Sequence, residues 1–166
     1  MEKSIIKQNA IIKNKKIFNA SNLSFKFSDN LTKTYTTNIE TFLKEINMFG
    51  TIYFTHHFEW QSICREKFWF ECIDNESQKS NLILITKEAY INYIGQTYPL
   101  QKITAYLNTF KIKNASASIL LTFKDTITKK IVSQGFQTIA FSDLAKQIIK
   151  IPEKIKERLY KYSIEL

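Results

Sequence analysis

Both histidines, both tryptophans, both cysteines and one of the two arginines of this 166-residue chain fall between Asn47 and Cys72. Within that stretch His57, Gln61 and Arg65 recur every fourth residue, which on a helix stacks them in one ridge. An imidazole, an amide and a guanidinium in a row on a largely apolar helix suggest a lined pocket. Two readings of His57 stand side by side. It is a general base near neutral pH, or a hydrogen-bonded lining residue with no proton to move. Arg65 likewise either grips an anionic oxygen or is the buried ion-pair partner of a nearby glutamate. His56 points about 100° away from His57 on a helix, so the two cannot share a metal ion, and no metal site is expected. Glu59 and Glu66 fall with Thr55 and Ser62 on a narrow polar strip away from the ridge. Cys64 and Cys72 lie two helical turns apart, roughly 12 Å of rise, beyond disulfide reach. They read as reduced thiols of a cytoplasmic protein, with Cys64 a packing residue rather than a nucleophile.

The element that must carry these groups is a long helix. Asn47 to Gly50 reads as a turn, and a helix is expected over 51–73, where no glycine or proline interrupts, a length of roughly 30 Å. Ile52, Tyr53, Trp60, Ile63, Cys64, Phe68 and Phe70 cover one broad face; Phe54, Phe58 and Trp69 cover much of another. A helix apolar nearly all round is buried, yet this one is far too polar to span a membrane. Something must wrap it. Residues 35–46 are rich in Thr, Ile and aromatics, as strands are. After the helix the period changes to strand-like alternation, giving expected strands at 82–93, 102–112, 116–123 and 131–141, the last two joined by a hairpin over 125–130. Pro152 suits the first turn of a closing helix to about residue 162. The order is strand, long helix, four strands, short helix: an α+β chain whose antiparallel sheet curls around one buried helix.

The bulk numbers agree with a folded chain. Hydrophobic residues make up 44% and aromatics 14%, with three glycines and two prolines, so long irregular loops are not expected. The division is a basic N-terminal extension, 1–33, and one domain, 34–166. The formal charge is +9, but seven lysines against Glu2 and Asp29 put over half of the excess in the extension. Charge so diffuse argues against a nucleic-acid surface, which needs clustered Lys and Arg, and fits attraction to an acidic protein partner. The N-terminus lacks the apolar core of a signal peptide.

The pattern Asn47-x-x-Gly50-x-x-Tyr53-Phe54-x-x-His57-x-x-Trp60-Gln61-x-x-Cys64-Arg65-Glu66 resembles the helix signature of the hotdog thioesterases from enediyne polyketide clusters, within the hydroxybenzoyl-CoA thioesterase-like superfamily. Trp60-Gln61 followed by Cys64-Arg65-Glu66 is its specific part. Weaker resemblance continues at 135–141 and at Ile151-Pro152-Glu153. The resemblance implies a hotdog oligomer, a dimer of dimers, that needs no cofactor and binds neither membrane nor nucleic acid. It implies hydrolysis of a β-ketoacyl or polyene thioester from an acyl-carrier protein or a polyketide synthase carrier domain. The rival readings are a general acyl-CoA thioesterase and a catalytically inactive acyl-binding module. By the resemblance Asn47 and Arg65 hold substrate and water, and Gly50 and Thr51 belong to an oxyanion site at the start of the helix beside His57. Tyr53, Phe54, Phe58, Gln61 and Trp69 are expected to meet the acyl chain. The chain departs from the family pattern at Thr51, His57 and Ser62, where the family has Asn, Tyr and Gly.

Overall fold

The computed structural model of the protein describes residues 33–74 and 81–164. Of the expected extension 1–33, only Lys33 lies among the described residues. Strand β1, Tyr35–Glu40, leads through a 3-10 turn at Leu43–Glu45 to helix α1, His56–Phe68, which runs on into a π-helical turn, Trp69–Ile73. Four strands follow: β2 Ile83–Tyr93, β3 Lys102–Phe110, β4 Ser116–Asp125 and β5 Ile131–Ser142. Helix α2, Glu153–Tyr160, closes the described chain. The five strands form one antiparallel sheet in the order β1-β3-β4-β5-β2. This is the expected sheet around a helix, the hotdog architecture.

The inward face of α1 follows helical spacing. His57, Trp60, Gln61, Cys64 and Phe68 are buried, a run of i, i+3, i+4, i+7 and i+11. Against them stand alternate strand residues: Ile103, Ala105 and Leu107 on β3, then Ala117, Ile119, Leu121 and Phe123 on β4, all buried. Ile139 and Phe141 on β5 complete the layer. Trp60 lies against Phe123, ring centroids 5.9 Å apart, and Trp69 against Phe141 at 5.7 Å. Helix α2 inserts Ile155 and Leu159 into the same core, and its Arg158 donates to the carbonyl of Ile73 at 2.5 Å. That bond satisfies a carbonyl at the end of the long helix, where intrahelical donors run out.

The helix begins later than expected. Residues 51–55 are not helical: Ile52 bridges back to Ile46, and the Tyr53 amide donates to the Glu45 carbonyl at 2.8 Å. These contacts bend 45–53 into a small hairpin-like loop. Strand β1 is also shorter than 35–46, because its last expected residues form the 3-10 turn instead. None of the described helices is long and apolar enough to cross a membrane.

Candidate active site

The ridge on α1 meets a matching row on the sheet. Four helical residues rise about 6.0 Å, and two strand residues advance about 6.8 Å. Every fourth residue of α1 can therefore face every second residue of β5, and three successive pairs do so. His57 Nδ1 lies 2.8 Å from Ser133 Oγ. Gln61 sits over Gly135 and donates through Nε2 to the Tyr90 carbonyl of β2 at 2.9 Å. Arg65 Nη1 donates to Gln137 Oε1 at 2.9 Å and to Thr86 Oγ1 of β2 at 2.7 Å. Ser133, Gly135 and Gln137 share the core-facing side of β5, opposite Phe123, Leu121 and Ile119 of β4. A polar seam thus runs through an apolar core.

The electrostatics differ along the seam. His57 is 3% exposed, and its Nε2 also lies 3.3 Å from Thr97 Oγ1. Burial, with a smaller contribution from His56, pushes its pKa down to about 4, so the ring is neutral at pH 7 with both nitrogens engaged. Gln61 is fully buried and its Oε1 has no partner among the described residues, as is also true of Trp60 Nε1. Arg65 keeps a side-chain exposure of 14%. Its two close partners are a hydroxyl and an amide oxygen. Its carboxylate neighbour, Glu66, is 3.6 Å from Nη2 and itself 62% exposed. The guanidinium is therefore held by two neutral acceptors at close range and by a longer, solvent-exposed ion pair with Glu66. Burial pushes the Cys64 thiol up to about 12, which keeps it protonated.

The other expected site residues lie at the helix start. Asn47 is engaged within its own turn: Oδ1 accepts from the amides of Phe49 at 2.8 Å and Thr51 at 3.4 Å, and Nδ2 donates to Thr51 Oγ1 at 2.9 Å. Gly50 supplies the left-handed residue this turn requires, with φ +75, and a Cβ there would meet nothing within 4 Å. Gly50 and the first helical residue, His56, are separated by the 51–55 loop. The opening helical amides of His56, His57 and Phe58 donate to the carbonyls of Tyr53, Phe54 and Thr55. Tyr53 and Phe54 are about half exposed and touch each other, with ring centroids 4.5 Å apart; Tyr93 of β2 meets Phe54 and donates to its carbonyl at 2.9 Å. Phe58 is partly exposed on the first turn of α1, whereas Trp69 is buried at the far end of the helix, about 16 Å along the axis from Phe58. The structure brings His57, Gln61 and Arg65 together and leaves Asn47, Gly50 and Thr51 in a neighbouring loop. His56 is turned outward, with Nδ1 2.7 Å from Glu59 Oε2.

Ser133, Gln137, Thr86 and Thr97 were not expected at the site. For Ser133 and Gln137 the signal is a polar residue at a position that strand alternation assigns to the core; Thr86 is exposed on β2 and Thr97 lies outside the strands, so neither carries that signal.

A buried helix clasped by a five-stranded antiparallel sheet defines a hotdog domain, and here a polar seam and a cation lie between the two. The profile of the thioesterase-like superfamily matches residues 42–159, and the chain belongs to that family. The fold is similar to that of the dynemicin thioesterase, whose crystal structures were described with bound polyene. That similarity has a TM-score of 0.74 at 17% identity, over 81% of this chain and 100% of that one. A 1,4-dihydroxy-2-naphthoyl-CoA thioesterase from Synechocystis is similar at TM-score 0.69 and 11% identity, over 77% and 96% of the two chains. A predicted thioesterase from Bacillus stearothermophilus gives 0.70 and 20%, over 81% and 99%. No curated protein sequence matches the chain.

Proposed function

We propose that the protein hydrolyses an acyl thioester, with a β-ketoacyl or polyene chain on an acyl-carrier domain as its substrate. The observation that carries this reading is Arg65. A cation fixed by a hydroxyl and an amide, with its one carboxylate neighbour Glu66 longer and largely in solvent, remains able to meet a ligand, and fixed positive charge stabilises the oxyanion that forms when water adds to a thioester carbonyl. The carbon–sulfur bond then breaks, and the carrier thiol leaves with the proton. A β-keto oxygen would present a second acceptor to the same guanidinium. The ridge of His57, Gln61 and Arg65 contains no carboxylate, and with His57 and Gln61 engaged with the sheet the developing charge is absorbed by the one cation. Asn47, Gly50 and Thr51 shape the loop beside the aromatic entrance of Tyr53, Phe54 and Phe58. The net charge of +9 suits docking of an acidic carrier domain.

The test compares wild type and Arg65→Ala on matched carrier-bound and CoA thioesters over a range of salt. Faster, salt-sensitive turnover of the carrier substrate and its loss in Arg65→Ala support the reading. Equal turnover of both substrates moves it to a general acyl-CoA thioesterase. Binding without hydrolysis of either makes the protein an acyl-binding module.

A further inference from the structure

We infer that Gln61 is a positioning residue that sets Arg65 through the edge strand β2, an inference that rests on the role proposed for Arg65 above. The place its amide occupies exists because residue 135 is glycine. A Cβ there would stand 2.5 Å from Gln61 Nε2 and closer still to the Tyr90 carbonyl oxygen. Strand β5 thus lacks a side chain at the point where a helix amide and a carbonyl of the next strand meet. Glycine inside a strand weakens it. The Oε1, unpaired among the described residues, adds a second cost, since a buried acceptor without a donor is destabilising. Methionine would span the same space without that cost. Two costs at one spot point to work that only the donor end of Gln61 performs.

The position of β2 says what that work is. Among the described residues β2 is the last strand of the sheet and pairs with β5 alone. Its ladder is interrupted by a register shift between Thr86 and Glu88, beside the hydroxyl that Arg65 grips. Bulges next to functional sites re-aim side chains, but they also release the strand locally. The Gln61–Tyr90 bond is the next tie between α1 and β2 beyond that break. It fixes the height of β2 against the helix, and with it the point at which Thr86 holds the guanidinium.

The experiment uses the full chain and Gln61→Met, with Gln61→Asn as a second variant that withdraws the donor should the first not fold. Thermal stability is expected to hold or rise in Gln61→Met, while amide exchange across 86–91 speeds up and that of β3 and β4 does not. The kcat on the thioester falls between about tenfold and 100-fold, the scale of a small misplacement, with KM little changed. Gln61→Met adds no further loss to Arg65→Ala, since coupled residues are not additive. Unchanged exchange in β2, or a loss that adds in full to that of Arg65→Ala, overturns the inference and leaves the proposed function standing. Full turnover by Arg65→Ala overturns the role of Arg65 and this inference with it. Should the wild type hydrolyse no thioester, the guanidinium NMR signal of Arg65 decides. A shift in Gln61→Met upholds the positioning, and an unmoved signal overturns it.

Discussion

His57 and Ser133 are joined by a 2.8 Å hydrogen bond from helix to sheet, with neither side chain more than 3% exposed. An imidazole in that position resists protonation: its ordinary pKa of 6.5 falls to about 4 through burial and the neighbouring His56. Between those values the unfolded chain binds a proton that the folded chain refuses. Stability is therefore full above about pH 6.5 and drops as pH falls toward 4, by about 3 kcal/mol if the shift is fully expressed. Urea unfolding across that range should show the drop, and His57→Phe should flatten it.

Asp125 acts in a separate, more acidic window. Its carboxylate accepts from the Gln101 amide at 2.5 Å and from the backbone amides of Ile127 and Thr128 in the β4–β5 turn. The Gln101 bond, then those to Thr128, bring its pKa from 3.8 down to about 2. Here the folded chain releases the proton more readily than the unfolded one, so the contribution is present above about pH 4 and lost as pH falls through 2. Asp125→Asn should lower the melting temperature at neutral pH and show a smaller further loss in acid.

Turnover should depend on Arg65 and Asn47 and not on the nearby carboxylates. Loss of a donor to the developing charge costs about 10²–10³ in rate, which is expected for Arg65→Ala. Asn47→Ala should also lose activity, because three bonds of its side chain hold the turn to Thr51. Glu59 is engaged with the outward His56 and Glu66 is largely exposed, so Glu59→Gln and Glu66→Gln should keep most of the rate. Steady-state assays of the four variants decide the matter, and the mechanism fails if a glutamate change abolishes turnover while Asn47→Ala does not.

Gly135→Ala should destabilise the fold by about 1–3 kcal/mol, the usual cost of overpacking a core, because its methyl would collide with the Tyr90 backbone, which cannot swing aside, as well as with the Gln61 amide. Denaturant unfolding measures this directly. A neutral effect would mean that β2 lies farther from β5 than the structure places it.

A homo-oligomer is expected at micromolar concentration. Among the described residues β2 is an edge strand of 11 residues, and a long open edge invites another chain. Light scattering that finds a stable monomer would remove this expectation.

The strands were legible because apolar alternation is local. The expected runs at 102–112, 116–123 and 131–141 differ from β3, β4 and β5 by no more than two residues at either end. The start of α1 was not legible. Ile52 and Tyr53 continue a helical stripe on paper, and what unwinds them is their pairing with Ile46 and Glu45, a contact that no helical periodicity encodes. The seam was half legible. His57, Gln61 and Arg65 announce a ridge by spacing, but their partners Ser133, Thr86 and Gln137 come from strands whose register is fixed only when the sheet closes.

The loop between Asn47 and Thr51 has one more consequence. Its tip carries Met48 at 90% and Phe49 at 80% exposure, and Met48 is the one methionine among the described residues. An exposed thioether is readily converted to the sulfoxide, whereas a covered one is protected. Brief peroxide treatment followed by peptide mass mapping would therefore turn this side chain into a native footprinting probe. Its oxidation rate, measured against protein concentration and with or without a carrier domain, would report when that corner of the molecule becomes covered, with no label attached and no residue changed.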